Sequence, residues 1–338
     1  MWAIYTQFVG DDAFITFHYA RQLAEGNGFV YNPGDYVYGT TTPLFTILMA
    51  LWYALAPGNM SLGAWLGDLA ASLVSLVLLS VMLQRAKMSW QMQLAALGFL
   101  SIFVKAYHMD MSAAETPLVI MLMMASWVAL DSRRPALAGF LAGCLLWTRV
   151  DTILWLLALF LFSTPKRAWL LVLTAGLTYL PWVIFATIRF GSPIPFTIIA
   201  KNIAYATDIT ELPEHLLISL AYLSPLGFSS TLVAFLLGCI TLGIALWQAS
   251  YLAKNKVWLV LPIFILLELV RLILTGATMF SRYFAPLSWM VWILFATALP
   301  LLWQQSKLAH KLPVWVPRFL VFISITAQCC WKLICRVV

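Results

Sequence analysis

Residues 10–42 read GDDAFITFHYARQLAEGNGFVYNPGDYVYGTTT. No other stretch of the chain is as long, as polar and as rich in turn residues. Asp11 or Asp12 can cap a short helix running to about Glu25, with Ala13, Phe17, Ala20 and Ala24 on one face. Gly26-Asn27-Gly28 ends that helix, since glycine tolerates the backbone of a helix C-terminus. Asn32-Pro33-Gly34-Asp35 is a turn signal, with Pro33 and Gly34 suited to the central positions of a type II turn. The stretch therefore predicts an amphipathic interfacial helix and a structured loop, not a span.

On either side the chain is apolar. Of 338 residues, 63% are hydrophobic and only 10% charged, whereas a soluble domain carries about 25% charged residues. Mean hydropathy is +0.91. These values describe an all-α, polytopic integral membrane protein, long enough for about ten to twelve membrane helices. Apolar segments follow at 43–56, 63–83, 92–104, 118–130, 136–147, 153–162, 169–188, 228–247, 257–275, 286–303 and 314–327. Arg149 and Asp151 interrupt the pair at 136–162, which reads as two short spans or one helical hairpin. A second interfacial helix is expected at 216–223, before Pro225. Residues 1–9 are apolar but too short to span, so the N-terminal span is expected to be truncated. No internal repeat is evident, and the whole chain reads as one transmembrane domain.

The net charge of +7 would suggest nucleic acid in a soluble protein. Here its source is the short loops: Arg85 and Lys87, Arg133 and Arg134, Lys166 and Arg167, Lys254 and Lys256, Lys307 and Lys311. Basic loops belong in the cytoplasm. A second set is acidic or mixed: Asp11, Asp12 and Asp35, then Asp110 and Glu115, Asp151, and Asp208, Glu211 and Glu214. The first outer loop (10–43) and the long second one (189–225) thus face the periplasm, exterior or lumen, and nucleic acid is not expected. The five cysteines (Cys144, Cys239, Cys329, Cys330, Cys335) have no metal-ligand spacing. Zinc signatures, phosphate-binding glycine loops, dinucleotide fingerprints and nucleophile elbows are lacking.

Charged residues at helix ends on one face are the candidates for chemistry. Asp11 and Asp12 offer a helix cap, a general base or a metal ligand. Glu115, before Pro117, suits a helix N-terminus or a second site carboxylate. Arg149 with Asp151 reads as an ion pair or a phosphate site. Lys201, after the proline-rich 193–195, and Arg282, at the outer end of a span, can each meet a phosphate or simply solvent and interface. His18 and His108 lie near these carboxylates in sequence.

Together these motifs resemble GT-C glycosyltransferases that use polyprenyl-phosphate sugar donors. Asp11-Asp12-Ala13-Phe14-Ile15-Thr16, Tyr19-Ala20-Arg21, Gly26-Asn27-Gly28 and Tyr31-Asn32-Pro33-Gly34 look like the first outer loop of the branch with bacterial arabinofuranosyltransferases. Aminoarabinose transferases and protein O-mannosyltransferases are more distant relatives. Gly39-Thr40-Thr41-Thr42-Pro43-Leu44 fits the loop's continuation. Glu115-Thr116-Pro117, Arg149 with Asp151, Pro195 to Lys201, and Arg282-Tyr283 to Pro286 follow in the family's order, so the resemblance covers about residues 10–290. Ala113-Ala114 departs from the Gly-plus-large-apolar pair usual before Glu-Thr-Pro.

The resemblance implies a transferase of the bacterial inner membrane, working on the periplasmic face. A sugar would pass, with inversion, from a polyprenyl-phosphate donor to a glycan, lipid or protein acceptor. It implies catalytic carboxylates at Asp11, Asp12 and Glu115. Donor phosphate would be held by Arg149, Lys201 and Arg282. A divalent metal ion would sit on Asp11, Glu115 and His108. The alternatives are a lipid or sugar transporter, whose ionisable residues would sit near mid-membrane, and an inactive, truncated transferase homologue.

Overall fold

The computed structural model describes residues 9–102, 113–198, 200, 209–226, 230–275 and 281–305. Among them every regular element is helical. In chain order these are α1 (Asp11–Ala24), α2 (Pro43–Leu55), α3 (Met60–Arg85), α4 (Trp90–Ile102), α5 (Thr116–Asp131) and α6 (Pro135–Thr148). Then come α7 (Ile153–Leu161), α8 (Pro165–Phe190), α9 (Leu212–Tyr222), α10 (Thr231–Leu252), α11 (Val260–Thr275) and α12 (Ala285–Gln305). Short 3-10 turns lead into α7, α9, α11 and α12. The expected segment at 314–327 lies outside the described residues.

Among the described residues, five helical stretches are long and apolar enough to cross a membrane: Met60–Arg85, Pro165–Phe190, Thr231–Leu252, Lys256–Thr275 and Arg282–Leu302. Exposed apolar side chains run down their outer faces at helical spacing, as in Leu69, Leu73 and Val77 of α3 and Leu232, Leu236 and Ile240 of α10. In water such stripes would be costly; against lipid they are the expected surface. α12 is the exception, buried almost all round from Phe284 to Ala298. It is the central helix of the bundle.

Helices α5 and α6 are shorter, yet they bridge the same two polar ends. At one end Arg85 Nη1 donates to Asp131 Oδ2 at 2.7 Å, and Asn255 Nδ2 to Asp131 Oδ1 at 3.3 Å. At the other, the Ala113 N–H donates to Asp68 Oδ2 at 3.1 Å. Helix from Asp68 to Arg85 is about 26 Å long, and from Thr116 to Asp131 about 23 Å. Both lengths are close to a hydrocarbon core of about 30 Å. Arg85, Asp131, Arg133 and Asn255 mark a basic end, and Asp68, Glu115 and Arg149 a site end.

Close helix contact uses small residues. A Cβ on Gly139 would lie 2.2 Å from the Leu171 carbonyl oxygen, and one on Gly143 2.8 Å from that of Ala175. These glycines, one turn apart on α6, let it lie backbone to backbone on α8. Gly238 of α10 does the same against Leu220 of α9, where a Cβ would meet the carbonyl oxygen at 1.7 Å.

The segment 43–56 reads as a span and is not one. Helix α2 has 13 residues, about 20 Å, and both its ends stay at the site end. Phe45 packs with Phe17 of α1 and Leu118 at the start of α5. Trp52 lies against Gly63 in the first turn of α3, and its Nε1 donates to the Asn59 carbonyl at 2.9 Å. The chain therefore enters α3 from the same side on which it left the first loop.

Candidate functional site

The first loop forms as its sequence dictates, with one change. Helix α1 is capped by Gly10, and no side chain makes the cap bond. Asp11 and Asp12 sit inside the first turn, where carboxylates gain from the helix dipole. The expected aspartate cap is thus corrected, and both carboxylates are available for other contacts. At the other end the Asn27 N–H donates to the Gln22 carbonyl and the Gly26 N–H to that of Leu23, with Gly26 at φ +85°. This is a Schellman C-cap. Asp35 N–H donates to the Asn32 carbonyl at 3.0 Å, with Gly34 at φ +94° in the expected turn.

Helix α1 is wedged between two packed surfaces. Ala13, Phe17 and Ala20 bury against Phe45, Met49 and Ala50 of α2. On the other side Tyr19 joins Phe29, Tyr38, Trp182 and Phe190. The Tyr19 hydroxyl donates to the Val37 carbonyl at 2.7 Å and accepts from the Gly39 N–H at 3.0 Å. Burial pushes the Tyr19 phenol above its ordinary pKa. Trp182 Nε1 donates to the Tyr38 hydroxyl at 2.6 Å, and the Phe196 N–H to the Tyr38 carbonyl at 3.1 Å. The Arg189 guanidinium lies 3.7 Å from the centre of the Tyr36 ring. These contacts fix the first loop to the end of α8 and to the segment that follows it.

Carboxylates and arginines from distant parts of the chain converge beside this loop. Arg149 breaks the helix between α6 and α7, with an extended backbone. Its Nε donates to Asp151 Oδ1 at 3.1 Å and its Nη2 to Asp151 Oδ2 at 2.5 Å. Nη1 lies 3.7 Å from Glu115 Oε1 and donates to the Arg282 carbonyl at 3.2 Å. The residue is only 4% exposed. Burial works against its charge, but Asp151 and Glu115 reverse that and hold it above the ordinary arginine value. Arg271 Nη2 lies 3.6 Å from Asp151 Oδ2 and also pairs with Glu268. Charges thus alternate along Glu115, Arg149, Asp151, Arg271 and Glu268.

Arg282 pairs with Asp12. The Tyr283 ring lies against both cations, 5.0 Å from the Arg149 guanidinium carbon and 5.4 Å from that of Arg282. Asp12, Glu115, Arg149, Asp151 and Arg282, all singled out in the sequence, are therefore assembled at one end of the bundle. Asp11 is exposed in the same helical turn as Asp12. Lys201 and His108 lie outside the described residues. The His18 ring lies tilted against that of Tyr31, 4.4 Å between ring centres.

Among the described residues no three His, Cys, Asp or Glu side chains are grouped to hold a metal ion. Asp12, Glu115, Asp151 and Glu268 each face an arginine instead.

Three members were missed in the sequence: Asp68, Glu268 and Arg271. Each is an ionisable residue inside an otherwise apolar helix, which is itself a signal. The spacing of Glu268 and Arg271 also suits a one-turn ion pair.

A solved structure shares this arrangement of helices. ArnT from Cupriavidus metallidurans, crystallised with undecaprenyl phosphate, superposes with a TM-score of 0.57 at 17% identity, over 87% of this chain. The chain thus resembles the all-helical GT-C membrane fold of ArnT. It spans 56% of the ArnT chain's length. No protein-family model matches the sequence, and no curated protein matches it either. The long apolar helices are those of an integral membrane protein.

Proposed function

We propose that the chain is a membrane glycosyltransferase that takes a sugar from a polyprenyl-phosphate donor and passes it to a hydroxyl acceptor. The observation that carries this is the contact between Asp12 and Arg282. It sets a carboxylate able to take a proton beside a cation able to hold a phosphate. The ArnT likeness supports the same donor class, since that protein was crystallised with undecaprenyl phosphate. The basic end carries Arg85, Lys87, Arg133 and Arg134, which favours a cytoplasmic location for it and an outward-facing site.

In the reaction a hydroxyl oxygen of the acceptor attacks the anomeric carbon while the bond from that carbon to the phosphate oxygen breaks. The electron pair leaves with the polyprenyl phosphate. The hydroxyl proton passes to Asp12 as general base. Direct displacement inverts the anomeric centre. The donor is a phosphodiester with one negative charge and the leaving group a monoester with nearly two, so charge grows on phosphate as the bond breaks. Arg282 meets that charge where water is partly excluded, and Lys201 is assigned to assist it. Arg149 is a positioning residue: its contacts to Asp151, Glu115 and the Arg282 carbonyl occupy it and fix the backbone of Arg282. Glu115 faces Arg149 at 3.7 Å, and His108 lies outside the described residues. No step runs through a metal ion.

The test is transfer by membranes containing the protein. Radiolabelled arabinose, mannose and aminoarabinose, each on polyprenyl phosphate, are supplied, and label is followed into the acceptor fraction. Label moving into glycan, lipid or protein supports the reading. Translocation of the intact lipid across vesicles without transfer would instead make the chain a transporter.

A further inference from the structure

We propose that Asp12 occupies the place of the donor phosphate on Arg282 while no lipid is bound. The incoming phosphate must displace it, and displacement frees the carboxylate that then serves as base. This rests on the donor class proposed above and adds an order of events to it.

The pair is asymmetric. The Asp12 side chain is 51% exposed and that of Arg282 is 23% exposed. Arg282 is held from behind, with its carbonyl accepting from Arg149 and its guanidinium against the Tyr283 ring. Asp12 projects from the first turn of α1, where Gly10 caps the helix without help from any side chain. Its carboxylate can swing to water with no backbone bond lost. The mobile partner is therefore the anion, and the fixed partner is the cation.

Carboxylate and phosphate oxygens compete for the same guanidinium edge. With Asp12 in contact, a phosphate arriving at Arg282 would put two anions on one cation, with Asp11 exposed in the same helical turn. Like charges at that distance repel. Asp12 is thus released to face an acceptor hydroxyl only when the donor is seated.

The experiment measures binding of undecaprenyl phosphate alone to the detergent-solubilised full chain. Wild type, Asp12→Asn, Arg282→Gln and the double variant are compared, each checked for a monodisperse elution profile. Asp12→Ser replaces Asp12→Asn if the latter does not fold. We expect Asp12→Asn to bind the lipid about tenfold more tightly than wild type, because a competing anion has been removed. With Arg282→Gln, binding weakens and Asp12→Asn gives no gain. Unchanged or weaker binding by Asp12→Asn overturns the inference, as does an equal gain in both backgrounds. If wild type does not bind the lipid, the proposed donor class falls as well; if it binds without the gain, only the displacement falls.

Discussion

Arg149 holds both carboxylate oxygens of Asp151, two residues ahead of it, and does so at 4% exposure. A buried cation of this kind is tolerated because its partners neutralise it, and removing it leaves Asp151 and Glu115 charged in an apolar setting. Arg149→Ala is expected to destabilise the protein by about 3–5 kcal/mol. Arg149→Lys keeps the charge but not the two-point grip, and is expected to cost about 1–3 kcal/mol. Heat-induced unfolding in a fixed detergent measures both. Equal midpoints for wild type and Arg149→Ala would refute the burial argument.

The pair Glu268 and Arg271 gives a coupling prediction. Arg271→Met strands Glu268 and leaves Asp151 with Arg149 alone. Adding Glu268→Gln removes the stranded charge, so the double variant should be more stable than Arg271→Met alone. A double variant that loses the full sum of the two single effects would mean that the residues do not interact.

Two glycines on α10 separate packing from helix propensity. A Cβ on Gly238 would meet the Leu220 carbonyl at 1.7 Å, whereas nothing lies within 4 Å of one on Gly243. Gly238→Ala should cost about 1–3 kcal/mol. Gly243→Ala should be neutral or stabilising by up to about 1 kcal/mol. Thermal midpoints of the two variants, measured side by side, should move in opposite directions or differ clearly in size.

Tyr19 ties the first loop together through one hydroxyl. Tyr19→Phe leaves the Val37 carbonyl and the Gly39 N–H without that partner, at a cost of about 1–3 kcal/mol. The effect should be local. Hydrogen exchange is expected to speed up over residues 36–40 and to stay unchanged in α5 and α12.

The first loop is the most readable part of the sequence. The extent of α1, its glycine stop and the Asn32-Pro33-Gly34-Asp35 turn follow from local backbone preference, which the fold leaves intact. The buried face of α1 followed from helical spacing. The aspartate cap did not hold, because Gly10 already has the extended backbone a cap requires, and Asp12 meets Arg282. Helix α2 was misread because 13 apolar residues look alike whether they cross a membrane or lie folded against its edge. Asp68, Glu268 and Arg271 were hidden for a related reason. Their depth depends on how far each helix projects beyond its neighbours, and that is fixed by contacts such as Ala113 with Asp68, not by position in an apolar run. Glu115, Arg149 and Arg282 are legible as candidates, but spacing could not reveal which partners the Arg149 side chain meets.

The most direct measurement is the rate of labelled-sugar transfer from the polyprenyl-phosphate donor by wild type, Asp11→Asn and Asp12→Asn in matched membranes, with insertion checked by protease protection. Removing a general base costs about 10²–10⁴-fold. The account predicts transfer by wild type, a loss of that size in Asp12→Asn, and a smaller loss in Asp11→Asn. Transfer by Asp12→Asn at the wild-type rate would contradict it.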